Sequence, residues 1–332
     1  MSQERRGIAR AGSWLRGAFA PFVGLFVVVA LFTVYGWVAK PESQFLSAFR
    51  MALIAKQTAI VGVTALGATL VVLSGGIDLS VGSMLALCTV VLAQALAGGV
   101  DPLAALGLTL AVGAAAGAVN GLLVTRLRLV PFLATLGTML LFRGLAEEIA
   151  AQQKIPAPAP AWLGGLLDPP APGSAWLVCD GVWIVAALAL VLAFVVRRTV
   201  FGRHVVAVGS NAATARLCGV PVARVQMVVY ALGGLLVALG GVFEFANLSR
   251  QGNPMSGVGL ELEAIAAVVL GGASLGGGRG SIVGAMAGAL LMTTLRSGCV
   301  YAEVPDPLQK VLIGGILLAA IAVDRRRAGA SP

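Results

Sequence analysis

Charged residues are scarce in this sequence. Asp, Glu, Lys and Arg together make up 11% of its 332 residues, and hydrophobic residues make up 58%. Soluble globular proteins carry about 25% charged residues, so this chain lacks the polar surface that such a protein needs. Glycine, in contrast, is common, with 44 residues, and small residues let helices pack closely in lipid. The composition therefore predicts an all-α polytopic membrane protein.

Residues that bind metals or carry redox chemistry are also few. The chain has one histidine, His204, and no CxxC pair, which argues against the common zinc and thiol motifs. We therefore expect no metal site and no cofactor in this chain. The four cysteines are Cys88, Cys179, Cys218 and Cys299. Cys179 and Cys299 both fall on the predicted outer side, which leaves a disulfide open, although two unpaired thiols are the expected state.

Lysine occurs only four times and never follows a glycine. A nucleotide-binding P-loop needs the pattern GxxxxGK[ST], in which the lysine meets the charge of the phosphate. The glycine-rich run 276–281 has no lysine, and we predict a tight turn there. The chain is therefore predicted not to be an ATPase, so energy for any uphill process must come from another subunit or from an ion gradient. The single histidine and the lack of an HExxH motif also argue against an intramembrane enzyme.

Long apolar segments account for most of the chain and predict about ten transmembrane helices. The first segment is too long for the hydrophobic region of a signal peptide, and we interpret it as a retained helix. The predicted domains are a cytoplasmic segment 1–18, a transmembrane domain 19–324 and a basic cytoplasmic tail 325–332. The ten predicted segments are 19–38, 52–73, 81–97, 103–125, 131–150, 181–196, 226–246, 262–275, 281–297 and 308–323.

Basic residues lie mainly in alternate connections between these segments. With the N-terminus in the cytoplasm, fifteen of the 23 basic residues fall on the inner side. The positive-inside rule therefore predicts that both termini are cytoplasmic and that the number of helices is even. The fifteen residues are Arg5, Arg6, Arg10, Arg16, Arg126, Arg128, Arg197, Arg198, Arg203, Arg216, Arg224, Arg279, Arg325, Arg326 and Arg327.

Two connections stand out. The outer loop 151–180 is rich in proline, including Pro169, Pro170 and Pro172, which favours extended chain. The inner loop 197–225 predicts a short helix, because Ser210 or Asn211 can cap its start and Gly219 suits its end. The sequence VVLSGG at 71–76 is also similar to VVLGGA at 268–273, which suggests a parallel internal repeat; chance similarity between glycine-rich helices explains it equally well.

Several polar residues lie within or beside the apolar segments. Gly75 and Gly76 allow an irregular backbone, after which Asp78 and Ser80 can cap the next helix. Such groups can also line a solute path, because polar backbone in lipid must be buried in protein or face water. A purely structural role is the simpler interpretation. The candidate path or gate residues are Asp78, Ser80, Asn120, Asn247, Glu261 and Glu263.

Ordered motifs along residues 50 to 320 resemble a known family. These motifs are GGIDLSVGS at 75–83, TLGTM at 135–139 with RGLA at 143–146, and GVGLELEAIAAVVLGGASLGGG at 257–278. They are similar to the ribose-type monosaccharide permeases of the branched-chain amino acid and sugar ABC transporter superfamily. The resemblance implies a multi-pass permease of the bacterial plasma membrane that transports a monosaccharide or a similar small polar solute.

The resemblance also implies partners. They are an ATP-binding subunit that binds ATP and Mg²⁺, a periplasmic or extracellular solute-binding protein, and a second permease copy in a homodimer or heterodimer. Two alternatives stay open: an ion-coupled secondary transporter and an ABC permease for branched-chain amino acids. By resemblance, the inner loop holds the coupling helix, formed by Ser210, Asn211, Ala212, Ala213, Thr214, Ala215, Arg216, Leu217, Cys218 and Gly219.

Overall fold

The computed structural model describes residues 22–40, 44–168 and 178–329. Within these residues the chain forms thirteen helices and one pair of two-residue strands, which confirms the predicted all-α class. The predicted N-terminal segment 1–18 and the prolines at 169, 170 and 172 lie outside the described residues. The helices and strands, in chain order, are α1 (Phe22–Ala39), α2 (Ala48–Leu73), α3 (Val81–Ala97), α4 (Pro102–Thr125), α5 (Pro131–Ile149), β1 (Ile155–Pro156), α6 (Ala161–Gly164), α7 (Asp180–Arg198), α8 (Val200–Ser210), α9 (Ala212–Leu217), α10 (Val222–Asn247), β2 (Gln251–Gly252), α11 (Leu260–Leu270), α12 (Ile282–Tyr301) and α13 (Asp306–Gly329).

Each of the ten predicted segments overlaps one helix, with ends that differ by a few residues. Six of the described helices, α1, α2, α4, α7, α10 and α12, are long and apolar enough to cross a membrane. The chain is therefore a multi-pass membrane protein. Helix α11 has only 11 residues, which span about 16 Å, and the predicted segment 262–275 continues into a turn. A count of ten membrane crossings stays a prediction.

Local sequence explains where the central helices begin and end. Ser47 caps α2 by accepting a hydrogen bond from the backbone amide of Arg50, and Asp101 caps α4. Both use a side-chain oxygen to satisfy an amide that has no partner within its helix. Helix α2 ends at Leu73, and Gly75 follows with φ +83°, a conformation that glycine adopts readily.

Helix α2 is the centre of the bundle. Of the residues in its apolar window, 83% are buried, compared with 11% for α1 and for α7. Helices α4 and α10 pack through small residues, since a Cβ at Gly113 would collide with Ala238 and one at Gly117 would collide with the carbonyl oxygen of Tyr230. Close approach of this kind is how membrane helices gain packing energy. The exposed apolar faces of α1 and α7 are available to lipid or to another subunit.

The connection after α5 contributes one of the two strands of the small sheet. Strand β1 pairs antiparallel with β2, with Ile155 opposite Gly252. This pairing joins the connection after α5 to the segment that follows α10. The described part of the proline-rich loop also contains the one-turn helix α6, whereas the proline content predicts extended chain only.

The ends of the helices lie on two faces of the bundle, which we name after Leu73 and Ala48. The Leu73 face contains the C-terminal end of α2, the α8–α9 junction and the turn 274–280, which lie in contact. The Ala48 face contains the start of α2, the C-terminal ends of α10 and α12, and the first residues of α11 and α13. The two faces are well separated, because Gln57 and Leu73 are sixteen residues apart in α2, which corresponds to about 24 Å.

Candidate functional site

Helix α9 lies on the Leu73 face and is exposed to solvent along much of its length. Asn211 caps it, because the Asn211 Oδ1 atom accepts a hydrogen bond of 2.9 Å from the backbone amide of Thr214. Gly219 follows the helix with φ +82°, as the sequence predicts for a residue after the helix end. Leu217 is 89% exposed, whereas Ala215 is 5% exposed and packs into the core. The helix therefore presents one face and anchors the other.

The structure corrects the boundaries that were predicted for this helix. Ser210 does not cap α9; it is the last residue of α8, a helix within the connection that is predicted as a loop. Helix α8 is capped by Thr199, whose hydroxyl accepts a hydrogen bond from the amide of Gly202 at 3.2 Å. Val205 and Val208 are buried on one side of α8. The spacing of these apolar residues is the signal that would have predicted α8.

Glycines join the α8–α9 junction to the rest of the Leu73 face. A Cβ at Gly209 would collide with the carbonyl oxygen of Leu73 and with the amide of Gly278, and one at Gly277 would collide with Gly75. Gly277 and Gly278 have positive φ values of 84° and 70°. The tight turn predicted for the glycine-rich run is confirmed. Backbone therefore packs directly on backbone where α9 meets the membrane helices.

Three arginines line a cavity of about 550 Å³ beside α9. Arg128 lies in the turn after α4, Arg216 lies on α9, and Arg224 is at the start of α10. All three are exposed. The Leu73 face is therefore positively charged next to the exposed residue Leu217.

A second group of polar residues is buried between α3, α4 and α5. The Asp78 Oδ1 atom accepts hydrogen bonds from the backbone amide of Ser80 at 2.8 Å and from its hydroxyl at 2.6 Å. The Asn120 Nδ2 atom donates to Ser80 Oγ at 2.8 Å, and Asn120 Oδ1 accepts from the hydroxyl of Thr138 at 2.6 Å. All four residues are at most 6% exposed. The network connects the break between α2 and α3 to two neighbouring helices.

This network changes the predicted capping of α3. Ser80 occupies the position before α3, but its side chain makes no capping hydrogen bond; it bonds to Asp78 and Asn120 instead. The capping prediction is therefore wrong for Ser80. Asp78, Ser80 and Asn120 are brought together, and they are covered by protein in this conformation. Buried polar groups that satisfy one another rigidify the packing around them.

The Ala48 face contains an open cavity of about 540 Å³, in the size range of small-molecule sites. Its lining includes the candidates Asn247 and Glu263 together with Glu244 and Arg296. The Arg296 Nη1 atom lies 2.7 Å from Glu263 Oε1, and the Asn247 Nδ2 atom donates to Glu244 Oε2 at 3.3 Å. The side chain of Glu263 is only 17% exposed. The cavity therefore combines charged groups with amide donors.

One wall of this cavity is the segment 253–258, which precedes α11. Arg143 on α5 holds this segment by donating to the carbonyl oxygens of Pro254 and Ser256. Thr89 on α3 exchanges hydrogen bonds with the backbone of Asn253 at 3.2 and 3.3 Å. These contacts fix irregular backbone in a membrane protein by satisfying its polar groups.

Glu261, the remaining candidate, does not line this cavity and makes no hydrogen bond to the Asp78–Asn120 network among the described residues. Its side chain is next to Gly82, where a Cβ would collide with it, and it is close enough to Arg143 to interact electrostatically. The predicted path residues therefore occupy three places. Four further residues of the cavity are not among the predicted path residues, because nothing in the sequence pattern indicates that they meet: Gln57, Glu244, Ser256 and Arg296.

The thiols predicted to be unpaired are free. Cys179 and Cys299 are both buried and form no disulfide. Cys179 precedes α7, and burial raises the pKa of its thiol. Burial therefore favours the protonated form of this thiol.

Comparison with known proteins is consistent with this architecture. A family model described as the permease component of the branched-chain amino acid transport system matches residues 50–321. The ribose import permease protein RbsC of Bacillus subtilis (strain 168) is 38% identical over 318 residues, covering 92% of each chain. The fructose import permease protein FrcC of Rhizobium meliloti is 37% identical, covering 91% of this chain and 84% of the relative.

A third relative is named for a different solute. The autoinducer 2 import system permease protein LsrC of Klebsiella pneumoniae is 40% identical, covering 91% of this chain and 85% of the relative. No solved structure matches this chain. The resemblance to ribose-type permeases that the sequence motifs indicated is confirmed. This chain therefore belongs to the family of transport-system permease components and is similar to ribose import permeases over nearly its whole length.

Proposed function

We propose that this chain is the membrane-spanning subunit of a binding-protein-dependent ABC importer for a monosaccharide or a similar small polar solute. It lies in the bacterial plasma membrane with ten membrane helices and both termini in the cytoplasm. A second permease copy, an ATP-binding subunit and a solute-binding protein complete the complex. The observation that carries the proposal is α9, a capped and exposed helix whose base packs on the backbone of α2 and of the turn 274–280.

In this proposal α9 is the coupling helix. Its exposed residues, such as Ala213 and Leu217, contact a groove on the ATP-binding subunit, and Ala215 holds the helix to the core. Because Gly209 leaves no space against Leu73 and Gly278, a displacement of α9 must move the ends of α2 and of the turn 274–280. Closed packing of this kind transmits displacement instead of absorbing it. ATP binding and hydrolysis in the partner thus alternate the access of the permease.

Solute selectivity is assigned mainly to the solute-binding protein. Sugar hydroxyls each need a hydrogen-bond partner when they leave water, and an unmet one costs about 1–3 kcal/mol. The membrane segments of this chain are mostly apolar, so a tight site within them would be expensive to satisfy. The names of the relatives, which specify ribose, fructose and autoinducer 2, support a small polyhydroxylated solute.

Reconstitution of the complex in proteoliposomes tests the proposal. Wild-type complex should accumulate sugar only with ATP, and Ala213→Glu should uncouple ATP hydrolysis from uptake without unfolding the permease. Ala215→Glu should instead release α9 from its support, because that side chain is buried. Uphill uptake by the isolated chain with an ion gradient and no ATPase would refute the proposal in favour of a secondary transporter.

A further inference from the structure

The open cavity on the Ala48 face contains polar side chains whose hydrogen-bonding capacity is only partly used within the protein. Glu244 and Asn247 come from the end of α10, Glu263 from α11 and Arg296 from α12. The Arg296–Glu263 ion pair is partly exposed and joins two helices. Glu244 has one hydrogen bond, to the Asn247 amide at 3.3 Å. A carboxylate can accept several hydrogen bonds, so Glu244 retains free acceptor capacity towards the cavity.

A buried hydroxyl in the cavity wall points to a ligand independently. Ser256 lines the cavity and is 5% exposed. Among the described residues its Oγ atom is one of two buried side-chain polar atoms without a hydrogen-bond partner. Leaving such a group unpaired is costly, and its presence in a native structure calls for an explanation. The Oγ atom is covered by protein in this conformation, so the side chain would have to rotate towards the cavity before a solute hydroxyl could supply that partner.

The charges around the cavity favour one chemical class of ligand. Three acidic residues, Glu244, Glu263 and Asp306, line it with one basic residue, Arg296. Lys56, next to the lining residue Gln57, also interacts with Glu244. Among these five residues the acidic side chains outnumber the basic ones by one. The lining arginine, Arg296, is already paired with Glu263. Phosphorylated or carboxylated solutes are therefore disfavoured, whereas neutral hydroxyls can donate to Glu244 and accept from the amides of Gln57 and Asn247.

We infer that this cavity is a solute-binding site within the permease, which receives a neutral polyhydroxylated molecule and holds it by Glu244, Asn247, Ser256 and the Arg296–Glu263 pair. The inference rests on the proposed function, since it assigns the Ala48 face to the outer side. It adds to that function a binding site within the permease that itself selects against anionic solutes. Glu244 is the central acceptor, and Arg296 positions Glu263.

The test uses the complete complex in proteoliposomes, with ribose presented by its binding protein at saturating concentration. Glu244→Gln keeps the shape of the side chain but removes its charge, and the loss of one charged hydrogen bond corresponds to about a ten-fold change. We expect uptake per ATP hydrolysed to fall by about this factor. The control is Glu148→Gln, because Glu148 is an exposed glutamate at the end of α5 that does not line the cavity.

A second measurement separates binding from folding. The melting temperature of Glu244→Gln should equal that of the control variant, and Ser256→Ala should lower uptake per ATP without a loss of thermal stability. Unchanged ratios in Glu244→Gln and Ser256→Ala would overturn the inference, as would losses that follow the melting temperature. Failure of the wild-type complex to show any ATP-dependent uptake would instead overturn the proposed function.

Discussion

The backbone amide of Gly278 donates a hydrogen bond of 3.0 Å to the carbonyl oxygen of Leu73. This contact joins the turn after α11 to the last residue of α2, although the two are more than two hundred positions apart in the chain. Gly209 packs against the same carbonyl. The end of the central helix is therefore held from two sides at the base of the proposed coupling helix.

The fit at Gly209 predicts a loss of coupling when a side chain is added. Gly209→Ala should lower ATP-dependent uptake strongly, because its Cβ would overlap Leu73 and Gly278 and overpacking costs about 1–3 kcal/mol. The matched control is Gly144→Ala, also within a helix, where a Cβ meets nothing within 4 Å. That variant should transport normally. Equal activity of the two variants would contradict the role of this junction.

The cap of α9 predicts a local effect on the proposed coupling helix. Asn211→Ala removes the acceptor for the amide of Thr214 and should destabilise the helix by about 1 kcal/mol. Hydrogen exchange should then become faster in residues 212–217 but not in α10. Asn211→Asp preserves the acceptor and should restore protection. Faster exchange spread over the whole chain would contradict a local role.

The buried network predicts a large cost for removing its central amide. Asn120→Leu should destabilise the permease, because Ser80 and Thr138 would each lose a buried partner at about 1–3 kcal/mol per group. The control is Thr109→Val, since the hydroxyl of Thr109 bonds only to the carbonyl of Ala105 in its own helix. Thermal unfolding in detergent measures both variants. Equal melting temperatures would show that the network contributes little.

The contact between Lys40 and Glu303 predicts a small pH dependence. Lys40 Nζ lies 2.5 Å from Glu303 Oε1, and its hydrogen bond and charge lower the pKa of Glu303 below the ordinary value of 4.5. A lowered carboxyl pKa stabilises the folded state at pH values above the ordinary pKa. This stabilisation is lost as the pH falls through the lowered pKa. Glu303 is exposed, so solvent screening keeps the effect small.

Melting temperatures measured from pH 7 down to pH 3 test this contact. The difference between wild type and Lys40→Met should shrink as the pH falls below about 4.5, whereas the control Lys154→Met, at an exposed lysine in the connection after α5, should show no such trend. A difference that is constant with pH would assign the role of Lys40 to its contact with the Tyr301 carbonyl.

Local sequence predicts the ends of the helices well. Asn211 and Gly219 are the capping residues expected for the inner loop, because a cap depends on a few neighbouring residues and their backbone angles. Helix α8 was missed although Val205 and Val208 have helical spacing, since a run flanked by arginines resembles a solvated loop. The additional residues of the cavity, Glu244 and Arg296, were not grouped with Asn247 and Glu263.

The sequence by itself determined the membrane class, the positions of the long apolar helices, the capped helix α9 and the family, because these depend on composition, short-range pattern and ordered motifs. Only the tertiary structure decided which residues meet: Asp78 with Asn120, Gly209 with Leu73, and Glu263 with Arg296. The physical reason is that lipid and the protein interior are both apolar, so the hydrophobic pattern of a membrane helix does not indicate which face meets a neighbour. Helix packing makes that choice, and it places the charged residues of four helices around one cavity.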